Sequence, residues 1–444
     1  MNRGTAHRLT DTRGSAYLQR RAAKSRLVVL SVDGLHPSLY RCAKELGVKV
    51  PNIEEVARRG ASAESCETIY PSSTYPAHTT LVTGVVPRVH GIYSHLASLD
   101  PTERARPWHW FAAAINVPTL WNLGRAHGLR TAAISWPVSA GAPIDFNIPE
   151  IWDPAVPDPH RDFVTVARHS TPGLFEEVAA ALKPGTHPAP DHLRGEAGIY
   201  LWRKNNPDLM LIHFVGYDAL AHRHGPRSHQ ALQALEHTDQ EIGRIRDAVA
   251  GEKRTTLVVV SDHGFLPVHR EVAPLTILKE EGLFDTRGKK HPELKRLGTV
   301  HAGGSFAAFW LEEPEAADRH ALDRALHRLM ETGAIAEVVD RAKLEQLGSD
   351  PDAEWILDAA DGFCFSGRFD GPAVGEESKD RGTHGHLPSR AGMEASFIVT
   401  GPEVAPGKNL GRVRLAEVAP TLAQFMGLDL RELAGVEEPL ILGN

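Results

Sequence analysis

The apolar positions of this chain come in short unbroken runs. Arg26 to Asp33 reads RLVVLSVD, Asp208 to Val215 reads DLMLIHFV, and Thr255 to Ser261 reads TTLVVVS. Runs this short, rich in β-branched residues, predict strands buried on both faces of a parallel sheet. Ala63–Tyr70, Arg130–Trp136 and Ala395–Gly401 fit the same reading. Between them the rhythm changes to a helical one. Ser228–Val249 places Leu232, Leu235, Ile242, Ile245 and Val249 along one stripe. Asn52–Arg59, Pro118–His127, Pro172–Leu182 and Gly195–Lys204 also read as helices, with Gly128 stopping the second. Strands alternating with helices predict an α/β fold: a mostly parallel central sheet with helices on both faces.

From about Pro267 the pattern loosens. Helical segments (Pro274–Glu281, Ala316–Thr332, Arg341–Leu347) mix with a strand at Gly304–Leu311, and exposed Gly, Asp and Lys are common. We read 267–382 as an inserted cap subdomain, with the catalytic core in 26–266 and 383–444. A helix at Val413–Met426, opened by Pro420, would close the core. Residues 1–25 read as a flexible basic tail or an oligomer arm, since the first 26 residues hold seven Lys/Arg and one acid.

Three of the strand ends carry groups that bind metals. Asp33 ends the first run. Asp218 follows the second, with His222 one helical turn on. Asp262 and His263 end the third. Gly382-Thr383-His384-Gly385-His386 adds two more histidines late in the chain. Ligand sites of open α/β sheets lie at the C-terminal ends of strands. Asp218 and His222 share a face if their segment is helical. Carboxylate and imidazole without thiolate suit zinc, with manganese or iron as alternatives. Any one of these pairs could be a hydrogen-bonded structural pair; the whole set at strand ends argues for a metal site.

Pro71-Ser72-Ser73-Thr74-Tyr75-Pro76-Ala77-His78 reads as a loop entering a helix, because Pro76 suits a first turn. Thr74 then lies at the positive helix end, where an anion such as phosphate binds well. Alone, Thr74 could simply cap the helix.

Composition narrows the field. The chain has 444 residues, 42% hydrophobic and 24% charged, with net charge −7. That is a globular protein with no signal for nucleic acid as a partner. The three cysteines, Cys42, Cys66 and Cys364, are sparse and lack a CxxC, so a disulfide scaffold or thiolate zinc site is not expected. Neither a signal peptide nor a run of about 18 apolar residues is visible, so the expected location is the cytoplasm, away from membranes. P-loop, GxSxG, HExxH and strand-linked GxGxxG motifs are missing, which weakens ATPase, serine esterase, zincin and dinucleotide readings.

Taken together, SVDGL, PSSTYPAHTTLVTGVVPRVHGI, DALAHRHGP, SDHGF and GTHGHLP resemble the type I phosphodiesterase/nucleotide pyrophosphatase family of the alkaline phosphatase superfamily, in that family's order from residue 29 to about 388. RLAEVAPTLAQFMGL resembles how the family closes its core. The resemblance implies two zinc ions. Asp33, Asp262 and His263 would hold the first, with Thr74 as nucleophile upon it. Asp218, His222 and His384 would hold the second, His386 being the alternative to His384. It also implies a phospho-threonine intermediate in the hydrolysis of a phosphodiester or pyrophosphate, on a small phosphoryl substrate such as a nucleotide. The chemistry is coherent in itself. A threonine hydroxyl is a poor nucleophile until a cation stabilises its alkoxide, and a second cation can stabilise the leaving oxygen.

One position departs from the family. Where an asparagine usually donates to a phosphoryl oxygen, Tyr93-Ser94-His95 places His95. Imidazole can make the same bond, and its protonated form would add charge favouring monoesters. Phosphonate hydrolysis, as of phosphonoacetate, and phosphomonoester hydrolysis are therefore the neighbouring readings. A non-catalytic metal or phosphoryl-ligand binder is the reading from another class. Ser135-Trp136-Pro137-Val138-Ser139 lacks the Lys-x-Arg of the family's monoesterases, which points to the diesterase branch. His78 reads as structural, His301 as a weak candidate for substrate contact, and Trp136 and Tyr75 as packing before base stacking.

Overall fold

The computed structural model describes residues 25–431 and 435–443, apart from 101–105, 157–161, 183–189, 251–253, 286–292 and 295. The basic tail expected at 1–25 lies outside the described residues except for Ser25.

Eight strands make the central sheet: β1 (Arg26–Val32), β2 (Ala61–Ser62), β3 (Thr131–Ile134), β4 (Phe146–Ile148), β5 (Leu209–Phe214), β6 (Thr255–Val260), β7 (Phe397–Thr400) and β8 (Lys408–Asn409). Their order is β8-β2-β7-β6-β1-β5-β3-β4. β6, β1, β5, β3 and β4 run parallel, and β7 runs antiparallel to both its neighbours. Alternation along β1 builds two cores. Leu27 and Val29 pack with Leu211, Val258 and Leu422 on one face. Val28, Leu30 and Val32 pack with Ile212, Phe214 and Ile242 on the other. Each large side chain so buried contributes about 1.5–3 kcal/mol, which is why these runs carry no polar interruption until their ends.

Register sets the site. Ser31 pairs with Val260 of β6 and with His213 of β5, and Val32 pairs with Phe214. Three adjacent parallel strands thus stop at nearly the same level. Asp33 and Asp262 emerge there, and Asp218 follows two residues into helix α2 (Gly216–His224), after α1 (Thr74–Thr83) earlier in the chain.

Three expectations change. The strand at Ala63–Tyr70 is two short pieces, Ala61–Ser62 and Ser65–Glu67, because the chain switches partner from β7 to Arg412–Arg414. Val413 consequently lies in a strand, and the closing helix is only Val418–Phe425, with Pro420 in its first turn. The 267–382 region is richer in sheet than its pattern implied. Leu297–Ala302, Ser305–Trp310, Trp355–Ala359 and Ile335–Asp340 form a four-stranded antiparallel sheet in that order. Helix Ala316–Glu331 packs Leu322, Ala325 and Leu329 with Phe306 and Leu357. Gly303 and Gly304 make the tight turn of the first hairpin, Gly303 at φ +52°, so Gly304 does not begin a strand. Among the described residues no helix is long and apolar enough to cross a membrane.

Candidate active site

Every sequence-predicted ligand arrives at the C-terminal edge of β6, β1 and β5. Asp33 Oδ1 is 3.5 Å from His263 Nε2, and Asp262 Oδ2 is 3.2 Å from the same nitrogen. Asp218 Oδ1 is 3.4 Å from His222 Nε2 and 3.9 Å from His384 Nε2. The ligand atoms of Asp218, His222 and His384 all lie within 4.8 Å of one another, and so do those of Asp33, Asp218 and His263. Asp218 therefore stands between the two groups. The His263 and His384 rings stack, with centroids 3.7 Å apart.

How each group is held explains its direction. His263 Nδ1 is 3.1 Å from Gly264 O, His222 Nδ1 is 3.0 Å from Gly382 O, and His384 Nδ1 is 3.0 Å from Ser72 O. A carbonyl can only accept, so each Nδ1 donates. Each Nε2 is left with its lone pair facing inward, as a metal-binding imidazole requires. The short strand Gly382–Thr383 pairs with Leu266 and Pro267 and thereby delivers His384 next to His263. Asp191 pins the start of α2 by accepting from the amides of Val215 and Gly216 at 3.1 and 3.0 Å. A Cβ on Gly216 would sit 2.7 Å from Asp191 Oδ2, so a larger residue there would displace this carboxylate from the amides it holds. Asp262 Oδ1 accepts from the amides of Gly34 and His263 at 3.1 and 3.0 Å.

Gly34 has φ +74°, and an added Cβ would lie 2.7 Å from the Phe265 ring. Gly34→Ala is expected to cost about 2 kcal/mol or more, from left-handed strain plus overpacking. A lower midpoint in urea unfolding is the measurement.

The arrangement fits a divalent cation better than it fits protons. Asp33 Oδ1, Asp218 Oδ1 and Asp262 Oδ2 are buried with no hydrogen-bond partner among the described residues. Burial, followed by the charges of Asp218 and Asp262, pushes Asp33 well above the usual carboxylate range. Burial and the neighbouring His263 and His222 hold His384 well below the usual imidazole range. Converging orphan carboxylate oxygens and imidazole lone pairs need positive charge between them.

Thr74 is the first residue of α1, and Ser73 before it is extended. No side-chain hydrogen bond caps this end among the described residues, which leaves backbone N–H groups for an anion. Thr74 Oγ1 lies 3.4 Å from His263 Nε2. Its hydroxyl thus borders the Asp33–Asp262–His263 group instead of capping the helix. His78 is buried, with Nε2 2.8 Å from Ser31 Oγ and Nδ1 2.9 Å from Thr74 O. Burial and His213 push it down to about 3, so it is a neutral strut. His386 is turned away from the site toward Asp358, 3.5 Å off.

His95 sits against Trp108, ring centroids 4.5 Å apart. Burial, then His301, Arg106 and His109, push His95 down to about 3. It is neutral near pH 7, so the extra charge expected of a protonated His95 is not available. His301 is likewise pushed down to about 4 by burial and Arg106. Arg106 donates to Thr299 O at 2.9 Å and to Ser98 O. Tyr75 and Trp136 are fully buried and offer no stacking face. Trp108, half-buried and 4.6 Å from the Trp152 ring, is the aromatic group beside His95. Trp108 and Arg106 escaped the sequence reading because neither belongs to a recognisable motif.

The type I phosphodiesterase/nucleotide pyrophosphatase family model matches residues 27–385. Human ectonucleotide pyrophosphatase/phosphodiesterase family member 7 is 23% identical over 275 residues, covering 59% of this chain and 52% of the human protein. Rat family member 3 is 24% identical over 250 residues, 54% of this chain and 24% of that one. The chain thus spans about half, or less, of the curated relatives it matches. Among solved structures, murine ectonucleotide pyrophosphatase/phosphodiesterase 5, an inactive threonine-to-alanine variant in complex with AMP, superposes with TM-score 0.64 at 16% identity, over 94% of this chain and 98% of that one. The human counterpart gives TM-score 0.63 with 97% of its chain covered. On the extent of the family match, the chain belongs to the type I phosphodiesterase/nucleotide pyrophosphatase family.

Proposed function

We propose that this chain is a two-metal hydrolase that cleaves phosphodiester or pyrophosphate bonds through a phospho-threonine intermediate on Thr74. The observation that carries the proposal is the meeting of a hydroxyl at an open helix end with three carboxylates, each holding a buried unpartnered oxygen. Asp33, Asp262 and His263 would hold one ion and Asp218, His222 and His384 the other, zinc by the donor set and manganese as alternative. When bound, the two cations supply the charge that lowers the cost of an alkoxide and of a leaving oxygen.

The chain's own residues do the rest. Thr74 Oγ1 forms a bond to phosphorus while the opposite P–O bond breaks and the alcohol or phosphate departs. Backbone N–H groups at the start of α1, with His95, donate to the phosphoryl oxygens. Water then attacks the phospho-threonine and regenerates Thr74. The AMP complex of the murine neighbour supports a nucleotide-type substrate, and the cap at 267–382 is our candidate for setting its identity.

The test is metal analysis together with assays on bis-p-nitrophenyl phosphate, p-nitrophenyl phosphate and phosphonoacetate. Two ions per chain and preferred turnover of the diester are expected. Bound metal with no turnover of any of the three would point to a binding protein instead. Because His95 is neutral, His95→Asn exchanges one neutral donor for another. Both ester activities should fall together by no more than about tenfold, the scale of a single neutral hydrogen bond, and a selective rise in diester turnover would contradict this.

A further inference from the structure

We infer that His213 is a positioning residue which, with Glu150 and Tyr75, fixes Asp33 for the first ion; this rests on the proposed reading of Asp33 as a ligand. His213 lies on β5, paired in register with Ser31 and thus one strand over from Asp33. Its neighbours Leu211, Ile212 and Phe214 are apolar and fully buried. A buried imidazole in such a run is costly unless both nitrogens are satisfied.

Both are. Nε2 is 3.1 Å from Asp33 Oδ2, and Nδ1 is 3.0 Å from Glu150 Oε2 and 3.1 Å from Ser135 O. Ser135 O and the Glu150 carboxylate accept, so Nδ1 donates, while Nε2 and Asp33 Oδ2 share the second hydrogen bond. The other Glu150 oxygen, Oε1, accepts from the Tyr75 hydroxyl at 2.9 Å, and Tyr75 is bonded to Thr74. A closed path therefore runs from Thr74 through Tyr75, Glu150 and His213 to Asp33. It ties the proposed nucleophile to the proposed ligand through three side chains outside the proposed ligand set.

The geometry divides the labour of Asp33. Oδ2 is held by His213, while Oδ1 has no hydrogen-bond partner among the described residues and faces His263. With Oδ2 fixed, Oδ1 is aimed at the space where an ion would sit. Without it, the carboxylate can rotate and the donor set loosens. Partners of this kind are worth about ten- to a hundredfold in metal affinity.

The experiment titrates metal-stripped full-length protein with zinc against a chromophoric chelator, in wild type, His213→Leu, His213→Gln and Glu150→Gln. In H213L one zinc step should weaken by about ten- to a hundredfold while the other holds. H213Q, whose amide nitrogen can still donate to Asp33, should recover most of the loss. In the zinc-saturated enzyme kcat should fall more than KM changes. Two zinc steps in H213L as tight as in wild type would overturn the inference. If H213L does not fold, E150Q decides: one weakened step supports the inference and two unchanged steps overturn it. Wild-type protein that binds no zinc at all would sink the metal reading itself, which is a separable failure.

Discussion

Thr74→Ala should abolish turnover of a chromogenic diester while both metal-binding steps persist. The hydroxyl lies 3.4 Å from His263 Nε2, at the start of α1. Removing a covalent nucleophile leaves only binding and electrostatic effects, so the expected loss is about 10⁴-fold or more. Asp33, Asp262 and His263 remain to hold the ion and the helix needs no cap from Thr74, so folding and metal content should be spared. Thr74→Ser keeps the oxygen and should retain most of the turnover. Metal-replete T74A that still hydrolyses the diester would remove Thr74 from the chemistry.

Chelation should have the next largest effect, on two readouts at once. Activity should fall to background and return with zinc. The melting temperature should fall as well, because three buried carboxylate oxygens with no hydrogen-bond partner among the described residues would lose the cations proposed to sit between them. A ligand present at about a thousand times its Kd stabilises by about 4 kcal/mol, so losing two ions should lower Tm by several degrees. Differential scanning fluorimetry with and without chelator reads this directly. A chelated protein with unchanged Tm and full activity would mean that the carboxylates are satisfied some other way.

How far these residues could be read from the chain depended on what kind of signal each carried. Asp33, Asp218 and Asp262 were legible because each ends, or closely follows, a mostly apolar buried run. A buried strand that terminates in an acid at the carboxyl edge of a sheet is readable without coordinates. His384 was legible only through its motif, since nothing local says that a strand pairing with Leu266 will carry it to His263. His213 was in plain view as the only polar side chain of LMLIHF, yet its meaning lay in Glu150, which sits in a loop 63 positions away. The sheet of the 297–359 segment was obscured because Trp355–Ala359 pairs with strands from two separate parts of the segment, and a glycine pair marked a turn that looked like a strand start. Tertiary pairing decided there, and periodicity did not.

The place of β7 has a consequence for how this chain is made. Ala61–Ser62 joins the central sheet only through Phe397–Thr400, which lies between it and β6. A growing polypeptide must therefore leave this edge of β6 without its β7 partner until Phe397–Thr400, more than a hundred residues further on, has emerged. Bare edges recruit other chains. Ribosome-bound chains halted before Phe397 should be cleaved by protease around residues 60–70 and captured by chaperones, whereas chains extended past Asn409 should resist both. Completion of the central sheet is thus expected to wait on the arrival of Phe397–Thr400.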